Sequence, residues 1–240
     1  MRTVRTPVVL FDLDDTLFAH RRSVELGLHA HRATLGAAIA AAEPDVEFTR
    51  WNDLEERHYH RYLSGEIDFH EQRRARARGF LEPHGVMLDD EAALAWFDAY
   101  LLQYERSWSR HEDVDDCLAA LADRRLGIIT NGEVPFQTAK LHAIGLEGAF
   151  EHFVASGAVG VAKPDARIFE HACALFEVAP AQAAYIGDRL HTDAIGAARA
   201  GLLGVWLDRP GIATAEQRAE ADAAGVPVIR SLEELPALLA

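Results

Sequence analysis

Residues 8–18 read Val8-Val9-Leu10-Phe11-Asp12-Leu13-Asp14-Asp15-Thr16-Leu17-Phe18, an unbroken apolar run followed by three carboxylates within four residues. Continuous rather than alternating hydrophobicity is the pattern of a strand covered on both faces, as in the centre of a parallel sheet. Short β-rich runs recur at Leu126–Thr130, His152–Ala155, Ala183–Gly187, Leu203–Leu207 and Val226–Ile229, with helical stretches between them. That alternation predicts βαβ units and an α/β fold built on a mainly parallel sheet. Roughly a hundred residues separate the first strand from the second, where a loop would take about 2–6. The intervening stretch must hold its own structure. Helical periodicity runs through it at Val24–Ala42, Trp51–Leu63, Phe69–Leu81 and Glu91–Ser107, with breaks at Glu43-Pro44-Asp45, Ser64-Gly65-Glu66 and Glu82-Pro83-His84-Gly85. The chain therefore reads as a core of residues 1–17 and 111–240 with an inserted helical domain of residues 18–110.

At 240 residues and 49% apolar composition the chain can bury a substantial core. Its 38 acidic against 24 basic side chains give a formal charge of −14. That balance argues against nucleic acid and against an anionic membrane surface as partners. An anionic substrate must be drawn in by local groups. Cys117 and Cys173 both lie in Ala/Leu-rich helical stretches and read as reduced, packed thiols. The apolar run near the N-terminus is too short for a signal peptide, and no segment has the length to span a bilayer. The expected location is the cytoplasm.

Polar groups recur where predicted strands end: Asp12 and Asp14 after the first, Thr130-Asn131-Gly132 after the second, Gly187-Asp188 after a later one. In open α/β sheets the ligand crevice lies at those carboxyl ends. Lys163, in Val161-Ala162-Lys163-Pro164-Asp165, follows another strand by a short loop and precedes a helix starting near Asp165. Asp12, Asp14, Asp188 and Asp193 gathered in one crevice would repel each other, and any phosphate, unless a cation joined them. A hard divalent ion with oxygen ligands answers that need, and Mg²⁺ suits carboxylates shared with a substrate phosphate. Lys163 adds a point charge, and the Thr130 hydroxyl with nearby backbone N–H groups can hold phosphate oxygens.

These residues resemble the haloacid dehalogenase-like (HAD) hydrolase superfamily. Its first motif, Asp-x-Asp-x-Thr, stands here as Asp12-Leu13-Asp14-Asp15-Thr16. Its second is matched by Thr130, its third by Lys163 and its fourth by Gly187-Asp188 with Asp193. The resemblance implies a Rossmann-like parallel sheet core with an inserted α-helical cap that opens and closes over the crevice. It also implies a phosphatase in which Asp12 is the nucleophile and passes through an aspartyl-phosphate, while Asp14 is acid and then base. Mg²⁺ would rest on the Asp12 carboxylate, the Asp14 backbone carbonyl and Asp188, with Asp193 as a further ligand or its anchor. Thr130, Asn131 and Lys163 would bind the transferring phosphoryl group of a small phosphorylated metabolite.

An ordinary Asp is ionised at neutral pH, so Asp12 should need no activating base, whereas the neighbouring carboxylates should raise the pKa of Asp14. Asp14 also separates chemistries within the family, because halide leaves without a proton and an alkoxide does not. A 2-haloacid dehalogenase-type hydrolase and a receiver-like phosphoacceptor module are the competing readings. Asp15 and Thr16 read as loop-forming residues, Asp165 as a helix N-cap and His191 as a surface histidine. In the inserted domain, His58 and His60 make a poor zinc pair. Arg73, Arg74, Arg76 and Arg78 read mostly as a solvated helix face, with one available to an anionic substrate. Trp51, Tyr59, Tyr62 and Phe69 read as core packing.

Overall fold

The apolar run forms the strand it predicts. In the computed structural model, which describes residues 6–240, Val8–Phe11 (β1) is buried along its whole length. Residues 1–5, assigned above to the core, lie outside the described residues. The further strands are Arg125–Thr130 (β2), His152–Ala155 (β3), Ala183–Gly187 (β4), Leu203–Leu207 (β5) and Val228–Ile229 (β6). All pairings are parallel, in the order β3-β2-β1-β4-β5-β6. β1 is central because both its edges are paired: Phe11 lies opposite Ile128 on one side and Ile186 on the other. Strand order reverses between β1 and β4, and a doubly wound sheet opens its ligand crevice at such a switch point. The loops after β1 and β4 are therefore neighbours there.

One sheet face is sealed by the helix Ala166–Leu175, whose Ile168, Phe169, Ala172 and Cys173 pack on Val8, Leu10 and Tyr185. The last strand is shorter than predicted. Pro227 has no N–H to give to a ladder, although its carbonyl accepts from Trp206 N at 2.9 Å, and pairing begins at Val228. Cys117 and Cys173 are both free and buried. Among the described residues no helix is long and apolar enough to cross a membrane.

The chain divides into two compact units, one of the described residues up to His20 with Ser109–Ala240, the other of Arg21–Trp108. The second unit is helical, and two of its elements differ from expectation. The run Val24–Ala42 is not one helix. His20–Arg32 ends, and a short helix Ala37–Ala40 follows Gly36, whose φ of 97° lies outside any L-residue helix. Conversely, Pro44 starts a helix where a break was expected: Pro44–Leu63 carries Pro at its first position, where no N–H is required. Trp51 is the buried hub of this unit, meeting Tyr100 at 4.4 Å and Phe80 at 5.7 Å between ring centroids. Two arginines also depart from the solvated reading. Arg76 is buried over the Trp51 ring at 4.5 Å and pairs with Glu55 at 3.0 Å, and Arg73 lies 4.3 Å over Phe69. Phe69 itself is exposed, at the first position of its helix.

His31 makes this unit acid-sensitive. It is buried edge-on to Trp96, with ring centroids 4.6 Å apart, and its Nε2 has no hydrogen-bond partner. Burial pushes its imidazole down to about 4. The unfolded chain therefore takes up a proton that the folded one refuses. Stability from this residue is whole above pH 6.5 and declines towards pH 4 by about 1.4 kcal/mol per pH unit. His31→Phe should flatten the fall of the unfolding midpoint across that window, as read by thermal denaturation at stepped pH. An unchanged slope would contradict the assignment.

Candidate active site

The sheet ladder continues one bond beyond β1, with Asp12 N donating to Ile186 O at 2.8 Å. The chain then turns sharply. Leu17 N and Phe18 N both donate to Leu13 O, Asp15 N donates to Phe18 O at 2.7 Å, and Asp15 takes a left-handed φ of 58°. Asp tolerates that conformation better than most side chains. From the loop after β5, Arg209 holds the turn by donating to the carbonyls of Asp15 at 3.3 Å and Thr16 at 2.7 Å. Its guanidinium is fixed in turn by both oxygens of Asp113 at 2.7 and 2.9 Å. Asp15 and Thr16 thus belong to the turn, as the sequence reading had them.

The loops converge as the switch point dictates. Carboxylate oxygens of Asp12, Asp188 and Asp193 lie within 4.8 Å of one another. Asp193 reaches the site from a π-helical turn, Leu190–Ile195, and its carboxylate accepts from Arg189 N at 3.0 Å. Gly187 makes room for it: a Cβ there would sit 2.4 Å from Asp193 Cγ. Lys163 enters from the loop before the helix Ala166–Leu175, with its Nζ 2.5 Å from Asp12 Oδ1, 2.7 Å from Asp193 Oδ1 and 2.7 Å from the Tyr185 hydroxyl. Asn131 clasps the same loop, accepting from Lys163 N at 2.9 Å and donating to Lys163 O at 3.1 Å. Its side-chain amide is thus occupied at both ends. Thr130 is buried at the end of β2, its hydroxyl accepting from Gln137 Nε2 at 2.6 Å.

Asp14 turns away from this cluster. Its carboxylate meets Lys140 Nζ at 2.6 Å and Gln137 Nε2 at 2.9 Å, both on the helix Val134–Ala143. The two key acids consequently titrate opposite to expectation. Burial and the neighbouring carboxylates of Asp193 and Asp14 push Asp12 up to about 7, against the pull of the Lys163 ammonium. For Asp14 burial acts upward, but the Lys140 ammonium, His20 and the hydrogen bonds from Lys140 and Gln137 outweigh it and hold the carboxyl below its ordinary value. Asp188 is raised well above the carboxylate range by burial and by Asp193, Asp12 and Asp15, against the pull of the Arg189 guanidinium. An acidic cluster with one buried ammonium still lacks positive charge, and this donor set of hard oxygens fits a divalent cation.

Asp165 caps its helix by accepting from Arg167 N at 3.0 Å, and His191 is an exposed histidine 2.9 Å from Glu220. Sequence reasoning passed over Gln137, Lys140, Tyr185 and Arg209. The first two carried a signal, since their three-residue spacing puts them on one face of the helix that follows Thr130. Tyr185 and Arg209 reach the site only through the fold.

The model of one protein family, described as haloacid dehalogenase-like hydrolase, matches residues 6–201. The chain is a haloacid dehalogenase-like hydrolase. This hydrolase is 32% identical to a glyceraldehyde 3-phosphate phosphatase of Methanopyrus kandleri over 95% of its own chain and 94% of that protein. It is 44% identical to a phosphoserine phosphatase of Thermus thermophilus, there over 84 residues that make up 35% of the chain and only 34% of that relative. In fold it is similar to the HAD-hydrolase YfnB from Bacillus subtilis bound to magnesium, with a TM-score of 0.78 at 22% identity over 98% of this chain and 99% of that one. The L-2-haloacid dehalogenase from Xanthobacter autotrophicus superposes with a TM-score of 0.70, again at 22% identity, over 97% of this chain and 98% of that one. Likenesses at that identity speak to the fold alone.

Proposed function

We propose that this HAD-like hydrolase is a Mg²⁺-dependent phosphatase that cleaves a small phosphate monoester in the cytoplasm through an aspartyl-phosphate on Asp12. The observation that carries the reading is Asp14, a carboxyl group on the same turn as Asp12 but held apart from the acidic cluster by its own donors. An alkoxide leaving group needs a proton in the transition state, whereas a halide needs none. The phosphatase names of the Methanopyrus and Thermus relatives agree with that choice. The unit Arg21–Trp108 is read as the helical cap that sets substrate choice.

In the proposed cycle an Asp12 carboxylate oxygen bonds to phosphorus as the bond from phosphorus to the ester oxygen breaks. Lys163 fixes the attacking group and offsets charge on the phosphoryl oxygens, together with the Thr130 hydroxyl. An Asn131 contribution falls to its backbone N–H, because its side chain is engaged by Lys163. Asp14 begins as a carboxylate; the arriving phosphate dianion raises its proton affinity, so that it takes up a proton from solvent and delivers that proton to the leaving oxygen. It then takes a proton from the water that attacks phosphorus, which frees phosphate and restores Asp12. Mg²⁺, held by Asp12, Asp188 and Asp193 with the Asp14 carbonyl, would neutralise the carboxylates and the phosphoryl oxygens.

Phosphate release from a panel of sugar, glycerol, amino-acid and nucleoside phosphates, with and without Mg²⁺, tests the proposal. Release that requires Mg²⁺ is expected, and halide release from a 2-haloacid with every phosphate ester inert would overturn it. Asp188→Asn should weaken Mg²⁺ binding by at least about tenfold in calorimetric titration, since losing even a group that merely supports a ligand costs about 10–100-fold. Unchanged Mg²⁺ affinity would remove Asp188 from the metal site.

A further inference from the structure

We infer that Gln137 and Lys140 are positioning residues that fix the Asp14 carboxylate for proton transfer to the leaving oxygen, an inference that rests on the phosphatase reading above. Each oxygen of Asp14 has its own donor: Oδ1 meets Lys140 Nζ at 2.6 Å and Oδ2 meets Gln137 Nε2 at 2.9 Å. Because both donors stand on one helix, a single rigid element grips the carboxylate at two points and restrains its rotation. The Lys140 ammonium lies 5.0 Å from the centroid of the Phe18 ring and 5.0 Å from that of Phe136. Its side chain is only 4% exposed, whereas that of Asp14 is 30% exposed. A buried ammonium costs several kcal/mol of desolvation, far more than about 0–1 kcal/mol that a surface pair returns. Stability alone is therefore a poor account of Lys140. Gln137 adds a second link, since the same Nε2 donates to Thr130 Oγ1 at 2.6 Å. The acid and the hydroxyl at the end of β2 are thereby held in fixed relation. Neither residue bonds to Asp12 or Lys163 among the described contacts, and Lys140 makes no hydrogen bond to Thr130 among them either, so its work is the more cleanly separable from the attack on phosphorus.

Leaving groups distinguish this role from a structural one. A nitrophenolate departs without a proton and a glycerol alkoxide does not, so kcat/KM for p-nitrophenyl phosphate and glycerol phosphate should respond differently. In Lys140→Met and in Gln137→Leu, kcat/KM for the alkyl ester should fall at least about tenfold further than for the aryl ester, within the range that general acid catalysis supplies. In an Asp14→Asn background Lys140→Met should not add to the loss, whereas Gln137→Leu should keep only the part that acts through Thr130, equal on both esters. If Lys140→Met fails to fold, Gln137→Leu carries the comparison. Equal losses on both esters, or full additivity with Asp14→Asn, would overturn the inference and leave the phosphatase reading standing. A wild-type protein that cleaves neither ester would overturn both.

Discussion

Asp12→Asn should lower turnover of phosphate esters by about 10³-fold or more, the scale on which an enzyme loses its nucleophile, while the protein stays folded. The amide is nearly the same size as the carboxylate, and Asp12 is 5% exposed in a site already shaped around it. What changes is chemistry: an amide oxygen is a poor nucleophile, and its phosphoryl adduct would not turn over. Stability should hold or rise. Asp12 is pushed up to about 7 by burial and like charges, so removing its charge relieves repulsion within the cluster. Phosphate release and thermal unfolding on the same preparation check both halves. Retained turnover would move the chemistry to another residue.

Lys163→Met should instead destabilise the metal-free protein by about 3–5 kcal/mol, the cost of leaving buried charges without their partner. The Lys163 side chain is 3% exposed and its ammonium holds Asp12, Asp193 and Tyr185 together. A thioether fills part of the space and none of the charge. Adding Mg²⁺ should return part of the lost stability, because a cation bound by the folded state alone stabilises it by mass action. Denaturant unfolding with and without Mg²⁺ measures the loss and the recovery, and turnover should fall with it. A midpoint equal to wild type in the absence of metal would show that the ammonium does not offset the carboxylates.

The contrast between these variants follows from what sequence does and does not encode. Strand ends were legible because buried parallel strands are apolar throughout and stop at polar residues, as Phe11-Asp12 and Gly187-Asp188 do. The sheet's switch point then brings Asp12 and Asp188 together, and Asp193 and Lys163 follow on short connections. Charge environments were not legible. Lys140 is 126 residues from Asp14 in the chain, so the ammonium that holds Asp14 low enters only when β2 and its following helix fold beside β1. The raised Asp12 likewise comes from burial that no local pattern displays. Helix limits in the second unit failed for a local reason, since Gly36 and Pro44 each permit more than one reading: glycine ends a periodic run, and proline both breaks helices and begins them.

Covalent capture tests the central claim most directly. The wild-type protein, mixed with Mg²⁺ and an ester that it turns over, quenched in acid within the first turnover and digested, should yield the peptide containing Asp12 heavier by one phosphoryl group. The Asp12→Asn protein should not. A time course in which phosphate is released at full rate and that peptide never gains mass would contradict the aspartyl-phosphate, and with it the role assigned to Asp12.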